Sequence, residues 1–290
     1  MRTARPPQAS AFSKRLLRND NHNHALLLTM STTIDSRAVV SPKAQIGDNV
    51  AIGPFTIVED DVVIGTGTHI ASNVLVANGS RIGKECRIHH GAVIGTIPQD
   101  LKFHGEASLM EVGDHTTLRE YVTLNRGTHA RGKTTVGSHC FLMAYSHVAH
   151  DCAVGNHVIL ANSVNMGGHC IIEDYAVVGG IVAIHQFTRI GRHSMIGGGF
   201  RATKDVPPYV LAGAEPLSFT GLNSVGLKRR NFSPETIELL DKAYTLIYNS
   251  SMNVSQALEK IKQELTQADE VRHIVNFIEK SKRGIIWRRR

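Results

Sequence analysis

Four of the 16 histidines keep chemically useful company. Asp151 directly follows His150, Gly167 and Gly168 run into His169, and Gln186 follows His185, while His147 lies three residues before His150. A carboxylate beside an imidazole can fix its tautomer and raise its basicity, as a general base requires. A backbone N–H left open by Gly can face a developing oxyanion. Cys86, Cys140, Cys152 and Cys170 pose the opposite question, because a zinc site would need them convergent. Whether any of these residues meet depends on the elements that carry them.

Those elements announce themselves as a period of six. From Ile34 onward, every sixth position reads Ile34, Val40, Ile46, Ile52, Val58, Ile64, Ile70, Val76, Ile82, Ile88 and Ile94, and the same phase resumes from Val112 to Ile196. Of 28 such slots between 34 and 196, only Asp100, Glu106 and Ala130 lack a large aliphatic side chain. Ordinary composition would fill roughly seven of them. The position four residues later is small or β-branched, as in Ala38, Ala44, Val50, Thr56 and Cys86. A helix repeats at 3.6 and a strand at 2, so neither gives a strict six. A polygonal coil does, with one short strand and one turn per hexad.

This pattern resembles that of the left-handed parallel β-helix, which implies three hexads, or 18 residues, per triangular coil. Sorting positions modulo 18 gives His147, His150, His169 and His185 remainders of 3, 6, 7 and 5, one sector of the prism in successive coils. Asp151, Gly167, Gly168 and Gln186 fall in that sector too. His139, His157 and His193 share remainder 13 and form a second column, assigned to surface or subunit packing. All four cysteines fall in the small inward slot and are core filler. The break from about Thr96 to Met110 must project as a loop, and Ala130 to Thr135 as a shorter excursion.

The chain therefore divides into a basic extension over residues 1–29, a β-helix over 30–206 and a small α-helical domain over 207–290. Pro207 and Pro208 stop the coil; Ser233 caps a helix with Pro234 at its first position, running to about Tyr248. Further helices are expected over 254–266 and 269–282, with Gly284 as a C-cap candidate. Residues 1–29 read as an organellar leader or as sequence upstream of a natural start at Met30. The net charge of +7 resides at the ends: residues 31–222 carry 14 Lys and Arg against 16 acidic residues. Aromatic residues are not interleaved with the basic ones, so no nucleic-acid partner is expected. No apolar run is long enough to span a membrane, and four Cys suit a reducing cytoplasm.

At His147-Val-Ala-His150-Asp151-Cys152 and Ile184-His185-Gln186-Phe187 the chain resembles the UDP-N-acetylglucosamine O-acyltransferases that begin lipid A biosynthesis. Gln99-Asp100-Leu101-Lys102, Asp205-Val-Pro-Pro-Tyr209 and Gly226-Leu-Lys-Arg-Arg230 extend the likeness from about Ile34 to Gly284. It implies a homotrimer that moves an (R)-3-hydroxyacyl group from acyl carrier protein to the glucosamine 3-hydroxyl of UDP-N-acetylglucosamine. It also implies His150 as general base, Asp151 as its support and the Gly168 N–H as oxyanion donor, without an acyl-enzyme. Asp100, Lys102, His147, His169, His185, Gln186, Asn223, Arg229 and Arg230 would contact substrate. Gly198 would set acyl length and admit a long chain. No metal or cofactor is expected.

Asn125 stands where some members carry His and is given no catalytic role, and the tail from Ile285 to Arg290 runs past the family's usual end, available for carrier docking or for nothing. Three rivals share the coil, one of them a non-enzymatic scaffold β-helix, which would give no reason for the His–Asp sector. A sugar-nucleotide N-acyltransferase would have an extra domain ahead of it. A γ-type carbonic anhydrase would place His147, His150 and His169 on zinc.

Overall fold

A computed structural model describes residues 31–288; the expectations for residues 1–29 lie outside the described residues, and so do those for the last two arginines. The chain forms a left-handed parallel β-helix with four helices at its C-terminal end. Two-residue strands recur on three faces. The first face starts at Thr33–Ile34 and Ala51–Ile52, the second at Val39–Val40 and Ile57–Val58, the third at Gln45–Ile46 and Val62–Ile64. Thr33 pairs with Ala51 and Val39 with Ile57, 18 residues on in each case.

The six-residue code maps onto this geometry position by position. The aliphatic slot points inward and is buried from Ile52 to Ile196 wherever the wall is regular. The small slot faces inward at the corner, and several of its threonines bond to the next coil, while Ser80, Ser146 and Ser194 bond to carbonyls three residues back. Thr56, Thr68 and Thr116 donate their hydroxyls to the carbonyls of Ala71, Gly83 and Gly137, each at 2.8 Å. The cysteines, all free and buried, do likewise: Cys152 Sγ reaches the Gly167 carbonyl at 3.2 Å and Cys170 Sγ that of His185 at 3.1 Å. One residue before the small slot the backbone turns left-handed, at Asn49, Asn73, His115, Asp151 and His169 among others, with φ between 55° and 62°.

Two excursions interrupt the wall, and both leave the same corner, between the second and third faces. The first lies between Val93–Thr96 and Leu109–Val112 and adds 12 residues, since Val93 pairs with Thr123, 30 positions on. The second, between Thr123–Asn125 and Lys133–Val136, adds six, since Leu109 pairs with Lys133. It begins and ends earlier than expected: strand stops at Asn125, and Lys133, Thr134 and Thr135 are already strand. Asp100, Glu106 and Ala130 break the aliphatic rule because they sit in these excursions.

Pro207 and Pro208 do not end the first face, which continues through Val210–Gly213 on Met195–Ile196 and then, antiparallel, through Ser218–Leu222. The helices α1 (Ser224–Arg229), α2 (Pro234–Asn249), α3 (Val254–Glu264) and α4 (Asp269–Glu279) follow. Ser233 caps α2, its hydroxyl accepting from Thr236 N. Gly284 has φ +70° but is not the cap of α4, a place Lys280 takes; its carbonyl accepts from Asp205 N at 3.0 Å. The tail is also built in: Ile285 and Ile286 are buried, and Trp287–Arg288 pairs with Ser218–Phe219. No described helix is long and apolar enough to cross a membrane.

Candidate active site

The turn from His147–Val148 on the second face to Ala153–Val154 on the third places His150 on the rim and Asp151 inside it. His150 Nδ1 lies 2.8 Å from Asp151 Oδ2. The Asp151 side chain is fully buried, a position a carboxylate tolerates only when its lone pairs are filled. Thr128, on the second excursion, fills them: its N–H donates to Oδ1 at 3.0 Å and its hydroxyl to Oδ2 at 2.7 Å. Burial pushes the Asp151 carboxyl upward, but the bonds from His150 and Thr128 outweigh it and hold the group below its usual range. It stays anionic, and an anion facing Nδ1 requires Nδ1–H, which leaves Nε2 as the basic nitrogen.

Gly168 comes one coil later, directly under that ring. A Cβ built on it would lie 2.6 Å from His150 Nε2 and Cε1, so only Gly lets the imidazole rest there. Three residues at the same place in other hexads donate their outward N–H to the next coil, Lys84 to Asp114 Oδ1 at 2.7 Å, Ser138 to Asn156 Oδ1 at 2.8 Å and Asn156 to Asp174 Oδ1 at 2.7 Å. Among the described residues the Gly168 N–H has no such acceptor. An outward amide without an acceptor thus sits beside a basic nitrogen.

His169 closes the cluster. Its ring meets that of His150 edge-on, centroids 5.1 Å apart, and stacks on Phe187 at 4.5 Å. Burial lowers its pKa, and that of His147, which is hydrogen-bonded to Thr123 Oγ1 at 2.7 Å. Asp100, in the first excursion, acts electrostatically on His169, and its carboxylate accepts from Lys102 N at 3.0 Å. His185 and Gln186 lie exposed one coil beyond Gly168. His150, Asp151 and His169 offer ligand atoms within 4.8 Å of one another, but His147 is not in that group, so the three-histidine set of the carbonic anhydrase rival is not assembled. Both Asp151 oxygens and His150 Nδ1 are already engaged.

The remaining candidates sit on other corners. Arg230 stacks its guanidinium 5.1 Å from the Tyr175 ring, and Asn223 donates to the His193 carbonyl at 2.9 Å while its Oδ1 accepts from Gly226 N and caps α1. Both belong to the corner between the third and first faces, the corner of the second histidine column. Both ends of the Asn223 amide are engaged, so it anchors the helix that carries Arg229, which is exposed. Gly198 is at the third corner, stacked over Gly180, whose carbonyl would lie 3.0 Å from a Cβ there. Thr128, Arg131, Thr134 and Phe187 escaped the sequence reading. Only the broken hexad at Ala130 pointed toward the first three.

Two family descriptions match the chain: the six-repeat bacterial transferase hexapeptide over residues 43–78 and 133–168, and domain 2 of UDP-N-acetylglucosamine O-acyltransferase over 205–286. An acyl-[acyl-carrier-protein]--UDP-N-acetylglucosamine O-acyltransferase from Ectopseudomonas mendocina is 45% identical over 255 residues, 88% of this chain and 99% of that protein. The crystal structure of a UDP-N-acetylglucosamine acyltransferase from Bacteroides fragilis superposes with a TM-score of 0.86 at 48% identity, covering 88% of this chain and all of that one. The Arabidopsis UDP-N-acetylglucosamine acyltransferase gives 0.78 at 30%, covering 87% and 99%. With coil, excursions and helical cap all spanned at such identity, the chain belongs to the UDP-N-acetylglucosamine O-acyltransferase family.

Proposed function

We propose that the chain transfers an (R)-3-hydroxyacyl group from acyl carrier protein to the glucosamine 3-hydroxyl of UDP-N-acetylglucosamine, the first step of lipid A biosynthesis, with His150 as general base. The observation that carries this reading is the pairing of His150 Nδ1 with the buried Asp151 carboxylate while the other edge of the ring lies against Gly168 and its free N–H. Nε2 takes the proton of the sugar hydroxyl, whose oxygen attacks the thioester carbonyl. The tetrahedral oxyanion meets the Gly168 amide. Its collapse expels the carrier thiolate, which receives the proton from His150. The thioester is already activated, so no acyl-enzyme is needed.

The enzyme acts as a homotrimer in the cytoplasm. Supporting this, His150 and its neighbours occupy one corner of the prism, and Arg229 and Arg230 extend from another, so a single site drawing on both takes them from two copies. Tyr121, Tyr145 and Ile181, large and exposed along the third corner, supply apolar surface for such packing. Asp100 and Lys102 approach from the first excursion, His147, His169, His185 and Gln186 bind the sugar nucleotide, and the arginines meet its phosphates or the acidic carrier. Gly198 lies across the second face from His150 and leaves room there for a long acyl chain.

The test is incubation with UDP-N-acetylglucosamine and a panel of (R)-3-hydroxyacyl carriers, read by product mass. His150→Ala is expected to lower kcat by about 10² to 10⁴ in a folded protein. Full activity in that variant removes the mechanism.

A further inference from the structure

Asp151 has two histidines within reach. His150 Nδ1 is 2.8 Å from Oδ2, and His169 Nε2 is 3.8 Å from the same oxygen. Something must decide which imidazole the carboxylate serves. The groups around it are His150, His169, the Arg131 guanidinium on its own carbonyl at 2.9 Å, and Thr128; Asp100 and His147 stand beyond the two imidazoles. Among these, only Thr128 and His150 bond to the carboxylate oxygens directly.

We propose that Thr128 is a positioning residue of this reaction, acting through Asp151 to aim its carboxylate at His150 rather than His169; the proposal rests on His150 being the base. Thr128 is buried and grips both oxygens at once, N–H on Oδ1 and hydroxyl on Oδ2. The direction of the hydroxyl is set as well. Ala130 N donates into Thr128 Oγ1 at 3.1 Å, so the hydroxyl proton is left for the carboxylate. Asp151 is tied from behind by its N–H to Thr134 Oγ1 at 2.8 Å. The excursion itself is pinned from the other side, since Glu106 of the first excursion accepts from His129 N at 3.2 Å. Without the Thr128 hydroxyl, Oδ2 loses one of its two short bonds, and rotation toward His169 Nε2 becomes the way to refill it. His150 would then have a looser partner and a mixed tautomer.

Thr128→Val keeps the shape and removes the hydroxyl. It is expected to lower kcat about ten- to a hundredfold, the loss associated with one hydrogen bond to a charged group, with KM for the sugar nucleotide within about twofold of the parent. Thr128→Ser restores kcat. In an Asp151→Asn background, Thr128→Val has no further effect, because the carboxylate through which it acts is gone. A purely structural residue would lower activity equally in both backgrounds. Thr128→Ala repeats the measurement should the valine variant melt early. Unchanged kcat in both variants, a loss confined to KM, or an undiminished loss beside Asp151→Asn overturns the proposal. If His150→Ala is inactive while Thr128→Val is fully active, the proposal alone fails and the base assignment stands; an active His150→Ala removes both.

Discussion

Gly168 is the residue on which the site closes most tightly. Its φ is not left-handed, so alanine is compatible with the backbone there, and the obstacle is the His150 ring 2.6 Å from the would-be Cβ. Relief requires the imidazole to swing off Asp151. Gly168→Ala is therefore expected to lower kcat by about 10²-fold or more while shifting the melting temperature little, read by steady-state kinetics beside a thermal melt. Wild-type kcat in that variant would show that the ring need not sit over the amide. Burial lowers the pKa of His147 and His169, which disfavours either as a cation competing for the Asp151 charge. At this scale His150, Asp151, Gly168 and His169 were legible in the sequence, since each occupies a fixed place in a hexad. Thr128 was not, because an excursion has no repeat to number it by.

Among the elements, the corner between the third and first faces carries the most regular feature of the surface. Rings of His115, His139, His157, Tyr175, His193 and Tyr209 stack with centroids 4.6 to 5.7 Å apart. All six positions have left-handed φ, and stacking offsets part of that strain. The ladder ends under the helices, where His193 is half buried. Burial, with Arg230, Arg192 and His273 nearby, lowers its pKa from 6.5 to about 4 against the opposing pull of Asp174. A histidine whose folded pKa lies below its unfolded value binds protons better when unfolded, so stability should fall as pH drops from about 6.5 to about 4. His193→Phe keeps the stack, and the Asn223 bond to the backbone carbonyl survives it. Its melting temperature is expected to vary less with pH over that window than the parent's, and an equal slope would refute the assignment. The period-six pattern disclosed this column as an alignment of residues. The hairpin of Val210–Gly213 and Ser218–Leu222 stayed hidden because two prolines precede it and no repeat runs through it. The basic ending of the tail concealed the burial of Ile285 and Ile286.

For the whole molecule, the proposed trimer makes a prediction that a monomeric enzyme cannot meet. His150→Ala and Arg229→Ala damage opposite halves of a shared site. When the two variants are co-expressed, one of the three sites in every mixed trimer, about a third, regains both halves. Activity of the mixture should exceed that of either variant alone, measured on tag-selected heterotrimers. No gain would mean that one copy supplies both halves. The three-cornered wall and the late helices could be read from period and caps, because each coil repeats the constraints of its neighbour. The division of the site between corners could not: residues 150 and 229 are related by no repeat.

The outward amide has a broader consequence. At several hexads it is silenced by a side-chain oxygen from the next coil, as Asp114, Asn156 and Asp174 do for Lys84, Ser138 and Asn156. Where such an oxygen is absent, the amide is left open as a latent anion hole. What sets Gly168 apart is that its open amide lies beneath an imidazole, so a scaffold of this kind can acquire a reactive centre by placing a base beside an amide it already leaves exposed.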